Sequence, residues 1–600
     1  MHSMILSILL AVVAISMVIL VHELGHFLAA KAMGVGVEVF SIGFWKRIVG
    51  LKFRGTDYRI SLVPLGGYVK MAGELVGEGT GAPGEFSSKK PWQRATIFGA
   101  GVTFNVIFAL VAFIVAFAVG VPFEVAEVGS IEPGKPAWQA GIRVGDQIVQ
   151  VDDVKSPDMQ DVVRAVALGG KDVVHLTVQR GAAMLPFDVK TDYNEKQGTM
   201  TLGIYPPYEP VVGKLANVGG SEGRKPAEEA GIQVGDRILA VNGSPVDSAW
   251  QVGQEMLLRP GMDVELTVER DGEQMSFTVH KEPIYMLGIS CVGTTIKSLQ
   301  GGGPAELMGL EVGDRIVRVG GQPTGSIYEV GKQIKESQGE FSLTVEREGS
   351  EVSLAGSAPS REAAEDLLFS IQCGSSNVLT WVREEGPAWE AGMRPGDEIL
   401  SIAGREVETW EDILSRNGAE GRGLRTVRWA RGDEDMEAKV APQAAPDPAS
   451  AMLGIGWDRP KLLMRRHSVG QSVQVGFRKT ADSVKDILMT LRGFQRGTVS
   501  TKQLGTVPMI AYSSYYAARL GIGRLLYWSA MISIALAFVN ILPIPVLDGG
   551  HLMFVAIEKV RGKPVSERVM LASQYVGLGL LLALMLYALR NDVVRFFGLG

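Results

Sequence analysis

One stretch near the start, Val18-Ile-Leu-Val-His-Glu-Leu-Gly-His-Phe-Leu-Ala-Ala30, restricts this chain more than any other. His22, Glu23 and His26 form an HExxH motif. On a helix, residues i and i+4 share a face, so both imidazoles can reach one metal ion. Neutral imidazole suits zinc, which also keeps an open position for chemistry. Glu23 is expected not to ligate but to take a proton from water at the metal and hand it to a leaving amine. Gly25 is expected to leave room beside the metal. The motif closes an apolar run from Met4 to Val21. Ionisable groups at membrane depth are costly and usually functional, which argues against a chance helical pattern.

A length of 600 residues implies several domains. The net charge of −6 gives no reason to expect nucleic acid as a partner. Hydrophobic residues make up 46% of the chain and are concentrated at its two ends, as in a membrane protein. Met1-His2-Ser3 carries no Lys or Arg, and cleavage before the motif would destroy it. The first apolar segment therefore reads as a retained helix, not a signal peptide.

Four membrane-spanning helices are expected, at about 4–30, 95–121, 525–547 and 569–589. The loop at 31–94 carries ten Lys or Arg, and Lys559, Arg561, Lys563 and Arg568 follow the third span. Both loops are cytoplasmic by the positive-inside rule, and everything between the second and third spans lies on the opposite side. Within the first loop, Tyr58 to Met71 alternates like a strand, breaks at Gly66-Gly67 and resumes with Tyr68. This predicts a β-hairpin or a bent strand pair. It reads either as an ordinary hairpin or as an edge that takes an extended substrate by strand addition. Gly99, Gly101 and Asn105 stand in the second span; helix packing is the expected role of the glycines, and packing or support of the site that of Asn105.

Residues 122–457 repeat one phrase four times. It runs Pro136-Ala-Trp-Gln-Ala-Gly-Ile-Arg-Val-Gly-Asp146 and recurs at 226–236, 304–314 and 387–397. Spacings of 78 to 90 residues between the Gly-Asp pairs are too long for a solenoid, so four small tandem domains are expected, at 122–208, 209–290, 291–372 and 373–457. Leu202-Gly203-Ile204, Leu287-Gly288-Ile289 and Leu453-Gly454-Ile455 mark domain ends, with Leu368 to Ile371 in the remaining copy. The phrase resembles circularly permuted bacterial PDZ domains. The resemblance implies that each such strand closes its domain and offers an edge to a chain terminus or extended segment. Cys291 and Cys373 each follow the closing Ile by two residues, which predicts two equivalent buried thiols rather than a disulfide.

Residues 458–524 form a membrane-proximal region in which 484–491 has amphipathic helical spacing, compatible with the bilayer surface or with packing on the core. In Asn540-Ile-Leu-Pro-Ile-Pro-Val-Leu-Asp-Gly-Gly-His551, Pro543 and Pro545 break the third span. Such a break survives in a membrane only where protein or a cavity satisfies the freed backbone. Asp548, directly after it, ranks as third metal ligand above His551, with Pro543, Pro545 and Gly549 as supports.

The HExxH motif, Phe40-Ser-Ile-Gly-Phe44, Pro64 to Met71, the insert after the second span and Asn540 to Gly550 together resemble the site-2 protease family, in its bacterial regulator-of-sigma-E type. The resemblance covers essentially the whole chain. It implies zinc held by His22, His26 and Asp548, with Glu23 as base. It also implies that Asn540 and the strand of Gly66, Gly67 and Tyr68 hold an extended substrate. The expected substrates are single-pass membrane proteins, anti-sigma factors or signal-peptide remnants, already cut outside by a site-1 protease. The expected location is the bacterial inner membrane, with the active site towards the cytoplasm. Two departures stand out: Gly101-Val102 replaces the family's Gly-Pro before Asn105, and there are four PDZ-like copies where one or two are usual. A membrane-anchored PDZ scaffold with a vestigial metal site is the rival expectation.

Overall fold

The site is carried by long apolar helices at the two ends of the chain. The structure, a computed structural model, describes residues 2–74, 82–195, 197–218, 224–258, 261–283, 285–287, 289–337, 339–419, 423–445 and 452–597. Gly288, expected in a closing strand, lies outside the described residues. Among them, four helices are long and apolar enough to cross a membrane. They are His2–Ala32, Pro91–Val119, Ile522–Ile541 and Glu567–Phe597. The third ends six residues earlier than its apolar run, because Pro543 cannot continue it. A further helix, Asp548–Arg561, starts after the break and was not foreseen. Its Glu558 pairs with Arg94 at 2.5 Å, tying it to the start of the second span. The fourth span turns most of its leucines outward, with Leu580 and Leu586 58% and 62% exposed, as lipid contact requires.

The loop between the first two long apolar helices folds as two long antiparallel strands, Val37–Phe53 and Thr56–Met71, each bent on itself. Residues 57–60 pair both with the hairpin neighbour and with 39–42, while 67–71 pairs with 37–42. So Gly66-Gly67 is a bend within a strand and not a hairpin turn. Gly66 takes φ +117°, and an added Cβ there would meet the Phe44 ring. Among the described residues no third strand pairs with the free edge of 67–71.

The middle of the chain forms four β-rich modules, each with its own apolar core. Each repeat phrase becomes a short helix that leads to a buried Asp. These four acids share one device. Asp146, Asp236, Asp314 and Asp397 each accept a two-pronged guanidinium, from Arg180, Arg270, Arg347 and Arg431, at 2.7–2.8 Å. The same Arg also donates to the carbonyl of the phrase's Gly141, Gly231, Gly309 or Gly392. A buried carboxylate survives only with such partners. Burial alone would raise the Asp236 and Asp314 carboxyls, but the guanidinium and a backbone N–H hold them below the ordinary Asp value.

The order of closure corrects the tandem expectation. The first module closes on itself, Ile204–Tyr205 pairing with Ser130–Ile131. Leu287 and Ile289, however, lie in the core built from 379–440, and Ile289–Ser290 pairs with Trp381–Val382. The second module is closed instead by Leu453 and Ile455–Trp457, the latter pairing with Val212–Leu215. Residues 292–375 close locally, Ile371–Ser375 pairing with Val292–Leu299; Leu368 sits on the helix Arg361–Phe369, so only Ile371 of that segment enters a closing strand. The modules are therefore nested, the third inside the fourth and the fourth inside the second. Two antiparallel chain passages cross each junction, such as Glu282 with Met452. Boundaries at 290, 372 and 457 cannot hold, because a closing strand belongs to the core it fills.

Cys291 and Cys373 are both free and buried. Burial pushes each thiol up to about 12. Neither is expected to react with iodoacetamide at pH 8 in the folded chain, and both are expected to react fully in denaturant; mass spectrometry of the labelled protein reads this directly.

The membrane-proximal region contains the helices Val469–Arg496 and Val507–Arg519. Within 484–491, Ile487 packs against the apolar cluster that holds Phe113 and Ile534, while Leu488 and Leu491 stay exposed.

Candidate metal centre

His22 and His26 are buried on the first helix, and Asp548 opens the helix after the Pro543–Pro545 break. These three are brought together from opposite ends of the chain. His22 Nε2 and His26 Nε2 lie 3.2 Å apart, and Asp548 Oδ2 lies 3.2 Å and 3.4 Å from them. A tetrahedral zinc with bonds of about 2.0–2.1 Å has ligand-to-ligand edges of roughly 3.3–3.4 Å, so the triangle fits the ion. Asp548 Oδ2 is buried without a hydrogen-bond donor, as a ligand oxygen should be. His551 is not part of the group; its ring stacks on Phe98, with centroids 4.6 Å apart.

The break aims the carboxylate. Val546 takes φ +112°, a conformation that costs a β-branched residue strain and that recurs at functional sites. Pro545 and Leu547 form an isolated bridge across it. An added Cβ at Gly549 would enter the Ile541 and Leu542 carbonyls, so glycine is needed there for the new helix to start against the end of the old one. Asn540 Nδ2 stands 3.2 Å from His22 Nε2, at the edge of the ligand triangle.

The second span supplies the other wall. Its Ile97, Gly101 and Asn105 repeat every four residues, matching the spacing of His22 and His26 on the antiparallel first helix. His26 Nδ1 is 2.9 Å from the Ile97 carbonyl, and Asn105 Nδ2 is 3.2 Å from His22 Nδ1. The glycine expectations need correcting. A Cβ on Gly25 would meet Ala100 O at 2.6 Å, so Gly25 admits the second helix rather than the metal. Gly101 is the residue that leaves room beside the ligands, since its Cβ would lie 2.7 Å from His26 Cε1 and 2.8 Å from His22 Cε1. A Cβ added at Gly99 would meet nothing within 4 Å, so no close helix approach calls for glycine there. The four-residue spacing of 97, 101 and 105 was the available signal for this wall.

Glu23 points from the first helix towards the bent sheet. Its Cγ is 3.7 Å from where a Gly67 Cβ would stand, and its carboxylate hydrogen-bonds with the Val69 backbone. Tyr68 stacks on Phe44 with centroids 6.2 Å apart, and Arg59 donates to its hydroxyl. The free strand edge, the carboxylate and the ligand triangle thus adjoin one another. The closing-strand residues of the modules have a different setting: Leu202, Leu287, Ile289 and Leu453 are buried in module cores, and Gly203 and Gly454 take positive φ beside Ile204 and Ile455.

Known proteins resemble this chain over nearly its full length. A putative zinc metalloprotease of Vibrio cholerae serotype O1 is 26% identical, covering 97% of each chain. The regulator of sigma-E protease RseP of Escherichia coli (strain K12) is 28% identical, again over 97% of each chain. A crystal structure of a PDZ domain protein from Parabacteroides distasonis is matched at 11% identity and a TM-score of 0.12, covering 57% of this chain and 95% of that one. The sequence profile of peptidase family M50 matches residues 10–584, and this chain belongs to that family.

Proposed function

We propose that this chain is an intramembrane zinc endopeptidase that cuts the membrane span of single-pass proteins after a first extracytoplasmic cut. The observation that carries this reading is the triangle of His22, His26 and Asp548 beside Glu23 and a free strand edge. His22, His26 and Asp548 would hold zinc, which when bound polarises the scissile carbonyl and acidifies water. Glu23 accepts the proton of the attacking water and passes it to the leaving amine nitrogen. A substrate helix hides its carbonyls in its own hydrogen bonds, so it must unwind to be cut. Strand addition along 67–71 holds it extended next to Glu23, and Asn540 orients it from the opposite side.

The basic loops support an inner-membrane topology with the site towards the cytoplasm and the modules outside. There the modules act as PDZ domains that take trimmed termini at their closing-strand edges and exclude bulky ectodomains. Anti-sigma-factor-like proteins and signal-peptide remnants fit this route. The test is incubation of the purified chain with a single-span substrate already trimmed outside. Cleavage within the span is expected; zinc-loaded, folded protein that cuts no such substrate would favour the scaffold reading.

A further inference from the structure

We infer that Asn105 is a positioning residue for His22: its amide oxygen accepts a hydrogen bond from Nδ1–H and so fixes which ring nitrogen is free to bind metal. The inference rests on the reading of His22, His26 and Asp548 as a metal set. His26 provides the comparison. Its Nδ1 lies 2.9 Å from the Ile97 carbonyl, and a carbonyl pairs only with N–H. His26 therefore carries its proton on Nδ1 and turns an Nε2 lone pair towards Asp548 and His22.

His22 is turned the same way, with Nε2 at 3.2 Å from Asp548 Oδ2 and Nδ1 facing Asn105. Asn105 is fully buried, with Nδ2 at 3.2 Å from that nitrogen and Oδ1 without a hydrogen-bond partner. In this orientation the amide would donate to Nδ1, forcing the His22 proton onto Nε2 and into the ligand triangle. A carboxamide's nitrogen and oxygen exchange places by a half-turn. After it, Oδ1 accepts a hydrogen bond from Nδ1–H, and the amide N–H groups move to where the oxygen found no donor. Both Nε2 lone pairs then face Asp548. Ser533 Oγ donates to the Asn105 backbone carbonyl at 2.9 Å and holds this turn in place. One face of the second helix thus orients both ligands, through the Ile97 carbonyl and the Asn105 amide, across the gap at Gly101. A proline at 102 is not needed for this.

The test is zinc affinity, read on the full-length chain by titration against a competing chelator, with unfolding midpoints recorded alongside. Asn105→Leu is expected to weaken zinc binding by roughly 10–100-fold, the range for lost ligand-orienting partners. Asn105→Asp is expected to stay within about threefold of wild type, because a carboxylate only accepts at this distance. Should Asn105→Leu fail to fold, Asn105→Ala decides in its place, with the same expected loss. Unchanged affinity in a folded truncation variant, or equal losses in Asp and Leu, would overturn the inference alone. A wild-type chain that takes up no zinc would overturn the metal reading and this inference together.

Discussion

Glu23→Gln is expected to keep its zinc and lose its activity, with cleavage of a trimmed single-span substrate falling by at least about 10³-fold. General acid–base groups contribute roughly 10²- to 10⁴-fold to rates, and here one carboxylate has both halves of the task. Gln has the same length and shape. Its amide oxygen still meets the Val69 backbone, so the side chain stays against the strand edge. What it lacks is basicity. His22, His26 and Asp548 are untouched, so the metal content should equal that of wild type. Gel-resolved cleavage rates and metal analysis of the same preparations separate the two effects. Equal cutting by both proteins would remove Glu23 from the reaction.

Gly101→Ala is expected to lower zinc affinity by at least about 100-fold, more than loss of a hydrogen-bond partner to one ligand would. The added methyl would press on both imidazoles, at 2.7 Å from His26 Cε1 and 2.8 Å from His22 Cε1. Those rings cannot retreat without opening the triangle, since His26 is tied to Ile97 and His22 faces Asn105. Gly99→Ala is the internal control. It lies two residues away on the same helix, where the added methyl would meet nothing within 4 Å, and it should leave zinc binding and cleavage unchanged. Chelator competition on the two variants distinguishes a local collision from a general effect of stiffening the helix. Similar losses in both would contradict the assignment of Gly101.

The site was legible because its chemistry is expensive. Two histidines and a glutamate ending an apolar run, and an aspartate after two prolines in another, have few structural explanations at membrane depth. Topology then placed them on one side. The interplay of the helices was less legible. Gly25 and Gly101 differ only in which neighbour they admit, and that depends on the rotation of one helix against the other. The strained Val546 left no trace, because a β-branched residue is the last choice for positive φ.

In the modules, the repeat phrase announced four cores but not their wiring. The closing strands around Leu202, Leu287 and Leu453 are near-identical in sequence, so each fits any of the cores. Only the path of the chain decides that Leu453 fills the second core and Leu287 the fourth. The guanidinium locks could have been found. Each Gly-Asp is followed 33 or 34 residues later by an Arg near a glycine turn, at 180, 270, 347 and 431. A buried Asp repeated four times calls for such a partner.

That one ion is held by ligands more than five hundred residues apart in sequence is tested most directly by the zinc content of Asp548→Ala, purified beside wild type and weighed against protein concentration. About one tightly held zinc per wild-type chain is expected, and its loss in the variant, with the fold intact by its unfolding midpoint. A folded Asp548→Ala chain that keeps its full zinc at undiminished affinity would contradict it.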